Sequence, residues 1–212
     1  MIIRRETQAD CRRVEEIIRK AFYNLYQPGC AEHYLAHIMR EHPDFIPELS
    51  LVAELDGQVV GSILYTKARL VDEAGAEKEI LTFGPIAVLP EYQRRGVGKQ
   101  LMARSFELAA ELGYDLVVIL GAPANYVGSG FKSCKRYNIC GEDGSFPMAM
   151  LARELGPQTL DGRRWTYHYS PVLAAIDQEA VERFDQGFAE RLEQKYQPSQ
   201  EAFYIYSHAT LQ

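Results

Sequence analysis

Apolar positions along the chain change their period several times, and the changes mark its elements. Ile2 and Ile3 open it as a short extended pair, and Thr7 with Asp10 three residues later has the spacing of a capping box. Val14, Ile17, Ile18, Phe22 and Leu25 recur at intervals of three and four, which predicts a helix to about Tyr23 with a single apolar stripe. Tyr34, Leu35, Ile38 and Met39 predict a second helix that stops near Pro43. The period then shortens: runs over 49–55 and 58–65 flank Asp56-Gly57, a pair that supplies the positive φ angles of a two-residue turn, so a β-hairpin is expected. A polar break over 72–78 leads to a third strand over 80–89, which should pair with the second. A helix over 99–112 follows, with Leu101, Met102, Phe106, Leu108, Ala109 and Leu112 turned to the sheet as core rather than ligand contacts. The solid apolar run over 116–120 would return as a parallel neighbour, and late strands are expected over 137–140 and 146–155.

The loop between the 80–89 strand and the helix after it carries the first candidate chemistry, Gln93-Arg94-Arg95-Gly96-Val97-Gly98-Lys99. Gly96 and Gly98 can take backbone angles closed to other residues and let an anion approach the main chain. The first amides of the next helix lack intrahelical partners and sit at the positive end of its dipole. Arg94, Arg95 and Lys99 add full charge, so a phosphate-bearing ligand is expected. Two familiar phosphate loops fail residue by residue. Leu101 stands where a dinucleotide fingerprint needs its third glycine, and Gln100 follows Gly98-Lys99 where a triphosphate loop needs Ser or Thr.

What remains, Gln-x-x-Gly-x-Gly after a strand and a Pro-x-Tyr turn, resembles the acetyl-CoA pyrophosphate loop of the GNAT superfamily of N-acetyltransferases. A second segment agrees: after the 116–120 run come Pro123-Ala124-Asn125-Tyr126 and then Gly130-Phe131. Tyr-x-x-x-Gly-Phe is similar to the family segment whose short helix presents a tyrosine to the thioester sulfur. The stretch 84–93 also matches in full the pattern Gly-Pro-x-Ala-Val-x-Pro-x-Tyr-Gln of a bacterial subgroup of predicted N-acetyltransferases. Asn125 and Ser129 depart from the aromatic residues of that pattern, which bears on acceptor preference.

The resemblance implies an α/β (α+β) fold, a mixed and mostly antiparallel sheet of six to seven strands flanked by helices. A bulge in the 80–89 strand would splay the two central strands, and Gly84-Pro85 suits a bulge. It implies acetyl-CoA as cosubstrate, without a metal. The coenzyme would be held by Ile86, Ala87 and Val88 along the pantetheine arm and by Gln93, Arg94, Arg95, Gly96, Val97, Gly98 and Lys99 at the diphosphate. The implied reaction is direct acetyl transfer to a primary amine of a small molecule or peptide, with Tyr126 as general acid. Tyr23, Tyr26, Glu32, His33 and His37 fall where the family receives its acceptor, and Glu32, His33 and Glu91 are open alternatives for the base. A non-catalytic acyl-CoA sensor or structural module is the rival reading.

Composition narrows the partners. With 23 Lys and Arg against 29 Asp and Glu the net charge is −6, so neither nucleic acid nor an anionic membrane surface is an expected partner, and the arginine loop is a local exception. No apolar run approaches the roughly 20 residues of a membrane helix, and residues 1–6 lack a signal-peptide core, which makes the cytoplasm the expected compartment. Cys11, Cys30, Cys134 and Cys140 have no Cys-x-x-Cys spacing and read as free thiols, with no evident histidine or helix start to activate one. The family resemblance covers 1–155, as an acetyl-CoA-binding domain. The remaining 156–212 is expected to fold onto it as strand, helix and strand. Its signals are a turn at Leu160-Asp161-Gly162, Trp165, Tyr167 and Tyr169 on one strand face, Val181, Phe184, Phe188 and Leu192 on a helix ending before Pro198, and an aromatic strand over 203–206. Such an extension would serve as a lid on the acceptor cleft, a homodimer surface or added core.

Overall fold

The computed structural model describes residues 1–156 and 160–212. Strand β1 (Ile2–Arg5) leads into helices α1 (Cys11–Phe22) and α2 (Glu32–Met39), then strands β2 (Leu51–Leu55), β3 (Gln58–Asp72) and β4 (Glu77–Val88). Helix α3 (Val97–Glu111), strand β5 (Leu116–Leu120) and the one-turn helix α4 (Pro123–Tyr126) follow. The chain continues through β6 (Lys132–Ser133), β7 (Ile139–Cys140), β8 (Met150–Glu154) and β9 (Trp165–His168) to α5 (Gln178–Asp185) and α6 (Pro198–His208).

The strands form one mixed sheet in the order β1-β2-β3-β4-β5-β8-β6, with β9 on the far half of β3 and β7 on β9. Among the described residues nine strands build it rather than six or seven, because β9 joins the same sheet and Lys132–Ser133 adds a short edge. Among the described residues only β4–β5 and β7–β9 run parallel. Strand β3 passes its expected end at 65 because residues 66–72 still alternate, with Ala68 and Leu70 buried and Arg69 exposed. Its outer half pairs with β4 on one side and β9 on the other.

Two features open the sheet. Between the pairs Ile63↔Ile86 and Tyr65↔Phe83 the register slips, so β4 carries one extra residue at Gly84-Pro85. Beyond that bulge β4 has no partner on its other side among the described residues: β4 and β5 share the single pair Leu81↔Val117 and then diverge. This is the splay that the family resemblance implies.

Helix α3 covers the opened region. Leu101, Met102, Phe106 and Ala109 are buried as the spacing predicts, each large side chain contributing about 2 kcal/mol of burial. Leu112 is 48% exposed, because the helix ends one residue before it. Ser105 is buried on the same face, where its hydroxyl meets the Tyr65 hydroxyl at 2.8 Å.

The tail departs furthest from expectation. Helix α5 ends at Asp185, so Phe188 and Leu192 lie in irregular chain, although Phe188 is buried with the Arg12 guanidinium 3.6 Å from its ring centre. The expected strand over 203–206 is helix α6. Four consecutive β-formers, Phe203 to Tyr206, suggested an extended run. Pro198 at the first helical position and Glu201 in the first turn favour a helix instead. That winding turns Phe203 inward and leaves Tyr204 and Ile205 exposed. The expected domain limit at 155–156 borders residues 157–159, which lie outside the described residues. Among the described residues no helix is long and apolar enough to cross a membrane.

Candidate active site

The loop into α3 is built by two left-handed residues. Arg94 has φ 58° and Gly96 φ 85°, and Gly96 is the residue before the helix. No side chain caps α3, and the first bond back to the loop is Gln100 N to Gly96 O at 3.0 Å. The preceding amides of the first turn therefore point outward without a helical acceptor. Gly98 does not use the special angles open to glycine; it sits in the helical first turn. What it provides is space, since a Cβ there would lie 3.8 Å from Val88 and 3.9 Å from Ile86. Gln93 ties the loop to the end of β4, donating from Nε2 to Val88 O at 2.9 Å.

A cleft of about 580 Å³ opens on this turn. Ile86, Ala87 and Val88 of β4 line one wall, and Gln93, Arg94, Gly96, Val97, Gly98 and Lys99 line its basic end. Arg95 does not line it; its guanidinium lies 5.6 Å from the Tyr92 ring. The far end is apolar and aromatic, formed by Ala21, Phe22, Leu25 and Tyr26 at the end of α1 together with Asn125 and Tyr126. Met102 also lines the cleft, so it is not purely core as its spacing suggested. Among the described residues no carboxylate lines this cleft, in a protein of net charge −6. Outward amides, two cations and the absence of anions fit a diphosphate, and the unpaired edge of β4 fits an extended polar chain.

Tyr126 stands at the junction of the two ends. Its ring packs between Phe83 at 5.9 Å and Phe131 at 5.8 Å. Gly121 makes room for it, because a Cβ at 121 would come within 2.5 Å of the ring. Burial first, and the neighbouring Tyr206 phenol second, push the Tyr126 hydroxyl up to about 12, so it keeps its proton at neutral pH. Tyr26 faces it with its own phenol raised, by burial and then by Tyr126, Tyr206 and Glu32.

The other acceptor candidates divide. Glu32 opens α2, accepts from Ala31 N at 3.0 Å, and has its carboxyl raised by burial against the pull of nearby amides. Tyr23, His33 and His37 face the tail instead. Tyr23 Oη donates to Leu192 O at 2.9 Å, the His37 ring lies 4.6 Å from Phe184, and His33 is fully buried with Nε2 3.2 Å from Asp185. Glu91 is exposed in the turn after β4 and does not line the cleft.

One cysteine does have a histidine beside it. Cys30 Sγ lies 3.2 Å from His33 Nδ1, so Cys30, His33 and Asp185 stand in the order nucleophile, base and carboxylate. The electrostatics oppose that chemistry. Burial raises the thiol far above its ordinary value and lowers the imidazole to about 4, despite Asp185. Asp185 is already claimed by Arg19, through bonds of 2.6 and 3.0 Å. The row is a structural joint between α2 and α5.

Sequence reasoning missed Phe22, Leu25 and Met102 as cleft walls, because their helical spacing reads as core.

Comparison with known proteins gives the same picture. The sequence profile of the acetyltransferase (GNAT) family matches residues 12–128. The uncharacterized N-acetyltransferase YhbS of Escherichia coli (strain K12) is 32% identical over 157 residues, spanning 72% of this chain and 88% of the relative. The crystal structure of E. coli YhbS in complex with CoA is similar at a TM-score of 0.71 and 26% identity, covering 83% of this chain and 93% of that one. A GNAT family acetyltransferase from Brucella melitensis, in complex with acetyl-CoA, gives 0.63 and 25%, covering 81% and 97%.

Proposed function

The chain belongs to the acetyltransferase (GNAT) family, and from that premise we propose that its cleft transfers an acetyl group from acetyl-CoA to a primary amine, with Tyr126 at the leaving sulfur. The observation that carries this reading is a single cavity that joins the first turn of α3 to the Tyr126 ring. The amides of Val97 and Gly98, with Arg94 and Lys99, would hold the diphosphate. The free edge of β4 at Ile86, Ala87 and Val88 would bond the pantetheine arm as an added strand. Gln93 would act indirectly, by fixing the loop to β4.

The bound cosubstrate supplies an activated acyl carbon. The protein supplies position and proton control. Full transfer from a phenol near 12 to a thiolate whose acid is near 8.5 is uphill by roughly 5 kcal/mol. Tyr126 therefore contributes chiefly a hydrogen bond to the departing sulfur, and the proton that ends on sulfur originates on the amine. A preorganised hydrogen bond to charge that develops at the departing atom is worth about 10²-fold or more in rate.

Thiol release from acetyl-CoA across a panel of amines tests the proposal. Turnover with an amine, reduced about 10²-fold in Tyr126→Phe while CoA affinity is kept, is the expected result. Tight CoA binding without turnover on any amine would instead support a non-catalytic acyl-CoA-binding module.

A further inference from the structure

The parallel strands β7 and β9 begin side by side, with Ile139 opposite Trp165. The chain entering each strand is tied to the other: Trp165 N donates to Asn138 O at 2.9 Å, and Asn138 Nδ2 donates to Gly162 O at 3.3 Å. Between these two entries and Phe146, ahead of β8, lies a cavity of about 380 Å³. Among the described residues it shares no lining side chain with the cleft that holds Tyr126.

Three cations line this cavity, Lys135, Arg136 and Arg164, and among the described residues no carboxylate does. Two of them converge on one ring: Lys135 Nζ lies 5.7 Å and the Arg164 guanidinium carbon 5.6 Å from the centre of Phe146. Arg164 is anchored there by a bond from Nη2 to Gly144 O at 2.8 Å. The acids of the same loops are engaged elsewhere. Glu142 pairs with His168 at 2.8 Å, Asp161 pairs with Arg163, and Asp143 accepts from Ser145 N at 2.9 Å. Among the described residues none of the three cavity cations has an ion-pair partner. Gathering like charge in this way is unfavourable on its own, and an anion between the cations relieves it.

The lining also sets the class of anion. An arginine presents a planar fork that matches phosphate oxygens in pairs, and a lysine adds a mobile point charge. The volume is at the small end of the roughly 300–1,000 Å³ of ligand pockets, well above the size of a bare phosphate ion, and the rings of Tyr137 and Phe146 line it beside the cations. We propose that this cavity is a second anion site, which takes a small organic phosphate. Lys135, Arg136 and Arg164 hold its phosphoryl group, and its organic body lies against Tyr137 and Phe146. A ligand seated there clamps together the entries to β7 and β9 and the turn at Gly144, so it binds the folded chain and stabilises it. The site goes beyond acetyl transfer and stands whether or not that reading holds.

The test titrates AMP, adenosine and inorganic phosphate into the protein preloaded with CoA, which keeps the probes off the coenzyme cleft. At about pH 7.5 a phosphate monoester carries close to two negative charges. AMP should bind with a dissociation constant below about 1 mM at low ionic strength, and more weakly as salt is raised. Lys135→Gln and Arg164→Gln should each weaken it about tenfold or more, and Arg164→Lys, which keeps the charge without the fork, should retain part of the affinity. Arg191→Gln, which removes a cation outside the cavity, should change it by less than about twofold. AMP should also raise Tm in the wild type and not in Arg164→Gln. No binding and no thermal shift with AMP, or equal affinity in Lys135→Gln and Arg164→Gln, overturns the site. Adenosine or inorganic phosphate bound as tightly as AMP overturns its assignment to an organic phosphate.

Discussion

Replacing Gly98 with alanine should move stability and coenzyme affinity in opposite directions. Residue 98 is helical and its added Cβ would meet only Val88 at 3.8 Å and Ile86 at 3.9 Å, both ordinary contacts. Nothing in the folded chain has to move. Alanine in a helix is favoured over glycine by about 0.5–1 kcal/mol, which for a chain of 212 residues raises Tm by about 1–4 °C. The same methyl group projects toward the cleft between β4 and the first turn of α3. A coenzyme whose diphosphate lies on that turn should then bind at least about tenfold more weakly, a loss of about 1.4 kcal/mol. Gly96→Ala is the contrasting control. Its φ of 85° is costly for any residue with a Cβ, so it should lower Tm, by about 1–2 kcal/mol of stability. Thermal melts and calorimetric titration with CoA read both quantities. A Gly98→Ala protein that is more stable yet binds CoA as tightly as the wild type would refute the placement of the diphosphate.

Further substitutions probe other parts of the account. Asp185→Asn should cost about 3 kcal/mol in urea unfolding, because Arg19, with its side chain 2% exposed, loses its anionic partner. Asp10 accepts two bonds from Arg4 and two from Thr7, with Arg4 the chief cause of its depressed pKa. Its contribution is therefore present above the ordinary carboxylate range near 4 and lost as pH falls toward the depressed value, so Asp10→Asn should flatten the acid side of the stability profile. Gly121→Ala should lower kcat more than it weakens CoA binding, because the new Cβ displaces the Tyr126 ring. With the phenol held near 12, kcat should show no alkaline decline from Tyr126 below about pH 11.

Much of this arrangement was legible from residue order. Strand-loop-helix spacing located the Gly96 turn, and the Gly84-Pro85 pair marked the bulge that separates β4 from β5. These are local signals, set by turn chemistry and period. The parts that stayed hidden depend on contacts distant in sequence. Phe22 and Met102 carry the helical spacing of core residues, and only the divergence of β4 and β5 turns them toward a cleft. Four successive β-formers disguised α6, whose winding is favoured by Pro198 and by the fit of Phe203 on Tyr26, 177 positions away. The pairing of Cys30 with His33, a spacing of three that the sequence reading passed over, is inert because of burial and of Arg19.

The most direct measurement is a crystal structure of the protein with acetyl-CoA. The account predicts diphosphate oxygens about 3 Å from the amides of Val97 and Gly98 and the thioester sulfur within hydrogen-bonding reach of Tyr126 Oη. A coenzyme seated elsewhere, or a sulfur on the far side of β4 from that phenol, would contradict it.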